Sequence, residues 1–204
     1  MNKIRLCGTA QSAPVFSHEN YGQRFFRFSL CVERLSGTCD SIPVLLPETL
    51  CAFVHDGAML CIEGEVRSYN DREAVHNRLK IHVWALSICP WQGEWTNSVT
   101  LRGTLCRQPT YRRTPFGREI ADMMLRVARA YHSPLPGRSD YLPCIAWGSA
   151  ARFCAELPEG TAVELSGRLQ SRPYIKVIDG IPGERTAYEI SVSSVCLLGE
   201  EGET

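Results

Sequence analysis

Aromatic and basic side chains stand close together at two places in the second half of this sequence. Tyr131 comes two residues after Arg129, and Tyr174 lies between Arg172 and Lys176. An exposed ring offers a flat face for stacking, and a nearby guanidinium or ammonium group can bind phosphate oxygens. These residue types in this arrangement favour a surface that binds an anionic ligand with flat rings, although burial of each ring in a strand core remains the alternative.

The residue patterns that carry catalysis or bind metal are absent from the sequence. Its five histidines are scattered, and it has no G-x-S-x-G motif and no phosphate-binding glycine loop. The ten cysteines include no C-x-x-C pair and no zinc-type spacing. We therefore expect a protein that is not an enzyme and has no catalytic residue, metal or cofactor. We expect the cysteines to be small buried apolar residues, with disulfides or a metal site as the alternatives.

The elements that must position the aromatic residues occur twice. The segment Asn2–Thr9 returns as Asn97–Thr104, and the same offset relates Gly22 to Gly117. An internal repeat of this length indicates two copies of one folding unit, and 204 residues suffice for two domains of about 100 residues each.

The repeat predicts two domains, a linker and a tail. We assign residues 1–89 to a degenerate N-terminal domain, 90–96 to the linker, 97–198 to the C-terminal domain and 199–204 to a short acidic tail. The linker is too short for independent tumbling, so we expect the domains to pack together. Residues 97–198 carry 13 basic and 9 acidic side chains, whereas residues 1–96 carry 9 and 10. The second domain is therefore modestly basic, whereas the zero net charge of the whole chain argues against a strongly basic polyanion binder.

Periodicity predicts the same order of elements in each copy. The second copy predicts strands at Asn97–Cys106, Ile120–Arg129, Asp140–Trp147 and Ala162–Arg168, a helix at Gly148–Leu157, and a hairpin from Tyr174–Val177 to Thr186–Leu197. The first copy predicts strands near 2–8, 24–34, 42–46, 58–67 and 78–88, with a short helix near 47–54. Five strands with a helix between the third and fourth give the order of an OB-fold. The predicted fold is all-β, with one short helix per domain, as two tandem five-stranded OB-fold barrels.

The second copy resembles a bacterial single-stranded DNA-binding protein domain. The segments that carry the resemblance are Gly103–Leu105, Gly117–Ala121, Tyr141–Gly148, Ala151 with Phe153, and Gly167–Arg172. The first copy resembles the family more weakly, through Gly8-Thr9, Gly22 and Ile62–Ser68. As a whole, the chain resembles the tandem-domain members of this family.

The resemblance implies a set of DNA-binding residues. Its four base-binding aromatic positions fall on Tyr131, Tyr141, Trp147 and Tyr174. The candidate phosphate-binding residues are Arg112, Arg113, Arg118, Arg129, Arg168, Arg172 and Lys176. In the first copy the aromatic positions fall on Ser36, Ser41, Pro47 and a site near Asp71. We therefore expect the second domain to bind the strand and the first chiefly to support packing, with residual binding through Tyr21, Arg24, Arg27, Arg34 and Tyr69.

The function implied by the resemblance is sequence-nonspecific binding and protection of single-stranded DNA in replication, repair and recombination. A homodimer would give the four OB-folds usual in the family, and replication or repair proteins are possible partners. The chain ends in acidic residues without the apolar Pro-Phe tip usual in the family, so partner recruitment by the tail is in doubt. No apolar run is long enough to span a membrane, and we expect a cytoplasmic, nucleoid-associated protein. The alternatives are an OB-fold interaction adaptor of a replication, recombination or mobile-element complex, and an RNA-binding protein.

Overall fold

Alternation of apolar and polar residues builds the same series of strands twice. The computed structural model describes residues 1–71, 78–129, 137–178 and 181–199. In the first half the strands are β1 (Asn2–Ala10), β2 (Val15–Asn20), β3 (Gln23–Glu33), β4 (Cys39–Pro47), β5 (Met59–Asn70) and β6 (Leu79–Pro90), with a 3-10 helix at Glu48–Phe53. In the second half they are β7 (Asn97–Leu105), β8 (Thr110–Arg113), β9 (Glu119–Ala128), β10 (Ser139–Trp147), β11 (Ala162–Ile178) and β12 (Ile181–Leu197), with helix α1 (Gly148–Ala155).

The predicted OB-fold order is confirmed in both halves, with two differences in detail. The first half has an additional edge strand, β2, which pairs with β3. The fourth long strand of the second half does not stop at Arg168, because β11 continues to Ile178 and pairs with β12 along its whole length. Tyr174 therefore lies inside a strand. The turn predicted at Asp179-Gly180 lies outside the described residues.

Each half closes its sheet by pairing its first long strand with its second, β1 with β3 and β7 with β9. The strand order is β2-β3-β4-β6-β5-β1-β7-β11-β12-β10-β9-β8, with additional pairings β3–β1 and β7–β9. The inward residues form one contiguous apolar core that includes Leu6, Leu30, Leu101 and Leu165, all fully buried.

In the part of the chain that the structure describes, no helix is long and apolar enough to cross a membrane.

The two halves are joined edge to edge by antiparallel pairing of β1 with β7. Ile4 stands opposite Val99 at the centre, Asn2 opposite Leu101, and Leu6 opposite Asn97. Because Asn2 and Asn97 are equivalent in the repeat, this pairing is reciprocal and relates the halves by an approximate twofold axis. The linker therefore connects two sheets that already share a hydrogen-bonded edge.

A buried carboxylate from the first half binds the second half. Asp40 is 1% exposed and accepts hydrogen bonds from Nε and Nη2 of Arg34, at 2.7 and 2.6 Å. Asp40 also accepts a bond from the backbone N–H of Ser171 at 2.7 Å, and Arg34 donates to the Ser171 carbonyl at 2.7 Å. Burial alone raises the pKa of Asp40, but the bonds from Arg34 and Ser171 outweigh burial and hold this pKa below its ordinary value.

The second half makes an equivalent contact with the first half through its own buried carboxylate. Asp140 is fully buried and accepts bonds from Nη2 and Nε of Arg129, at 2.8 and 3.1 Å. It also accepts the backbone N–H of Ser68 at 2.7 Å, while Arg129 donates to the Ser68 carbonyl at 3.1 Å. We call these two sets, Arg34–Asp40–Ser171 and Arg129–Asp140–Ser68, the reciprocal locks.

Four cysteines depart from the expectation of separate thiols. Disulfides join Cys7 to Cys61 and Cys31 to Cys39. The expectation was wrong at these positions because strand pairing, which the scattered sequence positions do not reveal, brings the Cα atoms of each pair within 4.2 and 5.6 Å. Cys144 and Cys154 are buried free thiols, as expected, whereas Cys89 and Cys196 are free but exposed, contrary to the expectation of burial.

Removal of one lock carboxylate should destabilise the whole chain. Asp40→Ala leaves the half-buried Arg34 and the Ser171 N–H without their acceptor, so we expect the free energy of unfolding to fall by about 3–5 kcal/mol. Urea unfolding followed by circular dichroism measures this change. The matched control is Asp122→Ala, which removes the exposed partner of Arg112 and should cost below about 1 kcal/mol. Equal losses in both variants would contradict a structural role for the lock.

Candidate nucleic-acid interface

Most of the aromatic and basic residues predicted in the second half share the outer face of its sheet. Successive residues of a strand point to opposite faces, so Tyr141 and Trp147 lie on the same side of β10. The intervening Leu142, Cys144 and Ala146 point into the core. Tyr141 is 46% exposed and Trp147 is 37% exposed, so each presents a ring surface to solvent.

Strand register places residues of β11 on this same face. Residues paired across neighbouring strands lie on the same face of a sheet. One such row runs from β11 to β8 through the successive partners Arg168, Ser191, Ile145, Asp122 and Thr110. Along β11, Arg172, Tyr174 and Lys176 follow Arg168 at even spacing, and Tyr174 stands opposite Arg185 of β12. The outer face, as we call it below, therefore carries Tyr141, Trp147 and Tyr174 together with cations from several strands.

A groove at one end of the outer face brings Trp147 together with two predicted cations. It has a volume of about 710 Å³ and is lined by Arg113, Gly117, Arg118, Glu119, Trp147 and Gly148. Gly117 adopts a φ of 76°, which completes the tight turn between β8 and β9 and places Arg113 and Arg118 on its two sides. Trp147 is the last residue before α1, so the start of the helix fixes its backbone.

The charges of the outer face are only partly neutralised. Arg112 binds Asp122 at 2.6 Å, and Arg172 lies 3.7 Å from Glu189. The other basic residues of this face are Arg126, Arg168, Lys176 and Arg185. Exposed ion pairs of this kind are weak, so an anionic ligand can compete for the paired arginines as well.

Arg129, one of the predicted residues, stands apart from the outer face. Arg129 donates its hydrogen bonds to Asp140 and Ser68 in a reciprocal lock, and its side chain is 17% exposed. Its guanidinium is therefore held at the junction of the halves. Tyr131 lies outside the described residues.

The residues named for residual binding in the first half lie in different surroundings. Arg24 binds Glu48 and covers the rings of Phe16 and Phe26, while Arg34 belongs to a lock. Tyr21 is exposed in a turn with a φ of 49°.

Arg27 and Tyr69, in contrast, line a cleft of about 920 Å³ between the two halves. The first half lines this junction cleft with Arg27, Arg67, Tyr69, Lys80, His82 and Trp84, and the second half with Arg129, Arg172, Arg185, Tyr188 and Glu189, among others.

The junction cleft covers the outer face of the first sheet, at positions equivalent to those of the second. A row of paired residues crosses β3, β4, β6 and β5 through Arg27, Leu45, Trp84 and Glu65. The aromatic rings that line the junction cleft lie on β5 and β6. In the second half, by contrast, Tyr141 and Trp147 lie on β10, the strand equivalent to β4. Trp84 and His82 could not be found from the ring positions of the second copy, because the equivalent residues there, Ser191 and Glu189, are not aromatic.

Two buried nitrogen atoms in the cleft wall lack a partner. Arg67 Nε and His82 Nδ1 make no hydrogen bond in the described part of the chain, although Arg67 is paired with Glu65 through its terminal nitrogen. Burial lowers the pKa of His82 to about 4, so its imidazole is neutral at pH 7.

The lowered pKa of His82 predicts a loss of stability in mild acid. Its folded-state pKa lies below the unfolded value of about 6.5, so the unfolded chain binds more protons between these values. The histidine's contribution is complete above pH 6.5 and is lost as the pH falls towards 4, by roughly 3 kcal/mol. Urea unfolding at several pH values should show this decrease, and His82→Gln should remove it. His55→Gln, at an exposed histidine, should keep the wild-type profile, and a profile unchanged in His82→Gln would contradict the assignment.

Comparison with known proteins agrees with the fold. The family described as "Single-strand binding protein family" matches residues 96–198. A "Single-stranded DNA-binding protein" of Halalkalibacterium halodurans is 33% identical over 109 residues, which cover 52% of this chain and 62% of that protein. A protein of the same name from Bacillus cereus is 34% identical over 105 residues, covering 50% and 59%. The matched region thus spans about three fifths of the length of these relatives.

Both halves together match a solved structure. The wild-type single-stranded DNA binding protein from Thermus aquaticus superposes with a TM-score of 0.78 at 21% identity, covering 100% of this chain and 96% of that one. This likeness extends the shared fold to the first half, which the family match does not include. Since the family matches about half of the sequence, the chain belongs to the Single-strand binding protein family.

Proposed function

We propose that this chain binds single-stranded DNA without sequence preference, mainly on the outer face of the second half. The observation that carries the proposal is the position of Tyr141, Trp147 and Tyr174 on one sheet face among Arg168, Arg172 and Lys176. The names of the two relatives, both single-stranded DNA-binding proteins, support the same ligand.

The physical basis of this binding is stacking combined with release of counterions. Each base can stack on a ring whatever its identity, which is worth about 1–3 kcal/mol per base and gives no sequence preference. The arginines bind phosphates in two-pronged contacts and displace the counterions of the strand, so binding weakens as salt rises. Arg112 and Arg172 would exchange their carboxylate partners for phosphates.

The division of labour between the halves is part of the proposal. Residues 97–198 form the main binding domain and residues 1–89 the degenerate one, with 90–96 as the linker. The first half has Ser36, Ser41, Pro47 and Asp71 where the second has aromatic positions, so its own strand-binding set differs.

A homodimer would supply four OB-folds. The arm formed by β11 and β12 carries Ile175 and Val177, which are 74% and 63% exposed on the face opposite Tyr174. Two exposed β-branched residues on a projecting arm favour contact with a second chain.

The first test is a titration with oligo-dT that follows tryptophan fluorescence over a series of salt concentrations. Trp147→Ala with Tyr174→Ala removes two stacking rings, so we expect binding to weaken about 30-fold or more, with the wild-type affinity falling steeply as salt rises. The control is Trp95→Ala, which removes a half-exposed ring from the linker. Tight binding that survives the double substitution would contradict the proposed face. No binding by the wild type at low salt would favour the interaction adaptor instead.

The dimer can be tested separately by multi-angle light scattering. We expect twice the chain mass for the wild type at micromolar concentration. Ile175→Glu with Val177→Glu places charge on the arm and should shift the mass to that of a monomer. The matched control is Val15→Glu with Leu35→Glu, which places the same charge on exposed apolar residues of the first half, outside the arm, and should remain dimeric. A wild-type monomer would overturn this part of the proposal.

A further inference from the structure

We propose that Cys7, Cys61 and Cys89 form a thiol–disulfide exchange site, in which the exposed Cys89 thiol attacks the buried Cys7–Cys61 disulfide and links it to thiols in solution. The substrate class is a small thiol or its disulfide, such as glutathione. The site lies in the first half and goes beyond the proposed function, because no step of the exchange involves DNA.

Strand register places the three cysteines in one row across three neighbouring strands. Cys61 of β5 stands opposite Cys7 of β1 on one side and opposite Cys89 of β6 on the other. Residues paired in this way lie on the same face of the sheet, with Cβ atoms about 4.5–5.5 Å apart across an antiparallel pair. A disulfide needs a Cβ separation of about 3.5–4.5 Å, so Cys61 can bond to either neighbour after a small movement.

Solvent reaches this row at one end. Cys7 and Cys61 are 1% and 5% exposed, whereas Cys89 is an exposed free thiol. Exchange requires a thiolate to reach a sulfur atom of the disulfide, so access controls its rate. A thiol from solution therefore meets Cys89 more readily than it meets the disulfide itself.

The row also gives the direction of attack that exchange requires. Because Cys61 is central, Cys89 approaches its Sγ from the side opposite Cys7. The Cys89 thiolate attacks this Sγ, a Cys61–Cys89 bond forms, the Cys7–Cys61 bond breaks, and Cys7 leaves as a thiolate that takes up a proton.

Small thiols complete the reaction at the exposed end of the row. One small thiol attacks Sγ of Cys89, which frees Cys61 as a thiolate and leaves a mixed disulfide on Cys89. A second small thiol attacks the mixed disulfide and releases Cys89. In total, one protein disulfide is reduced to two thiols, and two small thiols are oxidised to one small disulfide.

The second half has an ion pair where the first half has the disulfide. The equivalent row consists of Arg102, Glu164 and Cys196, and Arg102 donates from Nε to the Glu164 carboxylate at 2.5 Å. Both halves therefore tie their first strand at this row, but the first half does so with a bond that can exchange. Cys196 is exposed like Cys89, yet it faces a carboxylate in place of a disulfide.

The exchange determines whether the strand that joins the halves is cross-linked. The Cys7–Cys61 bond ties β1 to β5 over a sequence separation of 54, and the backbone N–H of Cys7 also donates to the Thr96 carbonyl of the linker at 2.7 Å. A Cys61–Cys89 bond would instead tie two consecutive strands and leave β1 without a covalent link. Because a longer closed loop restricts the unfolded chain more, the two pairings stabilise the chain to different extents.

The first test follows reduction of the full chain by glutathione. The protein is equilibrated in a mixture of reduced and oxidised glutathione, desalted, and then treated with reduced glutathione. Samples are alkylated with iodoacetamide at intervals and their linked peptides are quantified by mass spectrometry. We expect the Cys7–Cys61 bond to be reduced about tenfold more slowly in Cys89→Ser than in the wild type.

The sequence permits an unambiguous assignment of the linked peptides. Trypsin with Asp-N protease places Cys39, Cys51 and Cys61 on separate peptides, because cleavage before Asp40 and Asp56 divides them.

Two controls separate relay by Cys89 from a general change in reactivity. Cys196→Ser removes the equivalent exposed thiol and should reduce at the wild-type rate. The Cys31–Cys39 disulfide, measured in the same samples, should be reduced at the same rate in all three proteins.

A second variant captures the alternative bond. Cys7→Ala leaves Cys61 with one neighbouring thiol in the row, so the same oxidising mixture should yield peptides linked through Cys61 and Cys89. Three results would each overturn the site: no Cys7–Cys61 bond in the equilibrated wild type, a reduction rate unchanged in Cys89→Ser, or no Cys61–Cys89 bond in Cys7→Ala.

Discussion

The antiparallel pairing of β1 with β7 is the constraint on which the rest of this structure depends. This pairing joins the edges of the two sheets. Its reciprocal register about Ile4 and Val99 fixes the orientation of the halves relative to each other. The reciprocal locks then fix the distance between the outer strands, because each buried carboxylate binds its own arginine and the backbone of the opposite half. A buried charge is tolerated only with such a full set of partners.

The locks also position residues that neighbour the proposed DNA-binding face. Ser171 is held by Asp40 and directly precedes Arg172, while Ser68 is held by Asp140 and directly precedes Tyr69. Ser68 also accepts the backbone N–H of Tyr141 on its Oγ, at 2.8 Å. Each half therefore fixes the backbone beside a ring or a cation of the other. This is why Arg129, although basic and beside the interface, serves best as a positioning residue.

Much of the architecture could be predicted from sequence because the repeat and the strand periodicity are local signals. The helix at residues 148–155 and the turn at Gly117 followed from such patterns. The cleft could not be predicted, since it joins residues far apart in the chain that only the β1–β7 pairing brings together. A signal for the locks did exist: Arg34 and Arg129, and likewise Ser68 and Ser171, occupy equivalent repeat positions. The disulfides depended on cross-strand register, which composition does not report.

The two copies share one fold, but their outer faces carry different residues. In the second half Gln170 and Glu189 satisfy each other with a hydrogen bond, and the exposed rings of this face lie on β10 and β11. The first half lost rings on β3 and β4, but its cross-strand pair Arg67 and His82 keeps nitrogen atoms unpaired beside Tyr69. A tandem chain permits this asymmetry, because its two sheets are encoded separately, whereas a dimer of identical single domains must carry any such change in both.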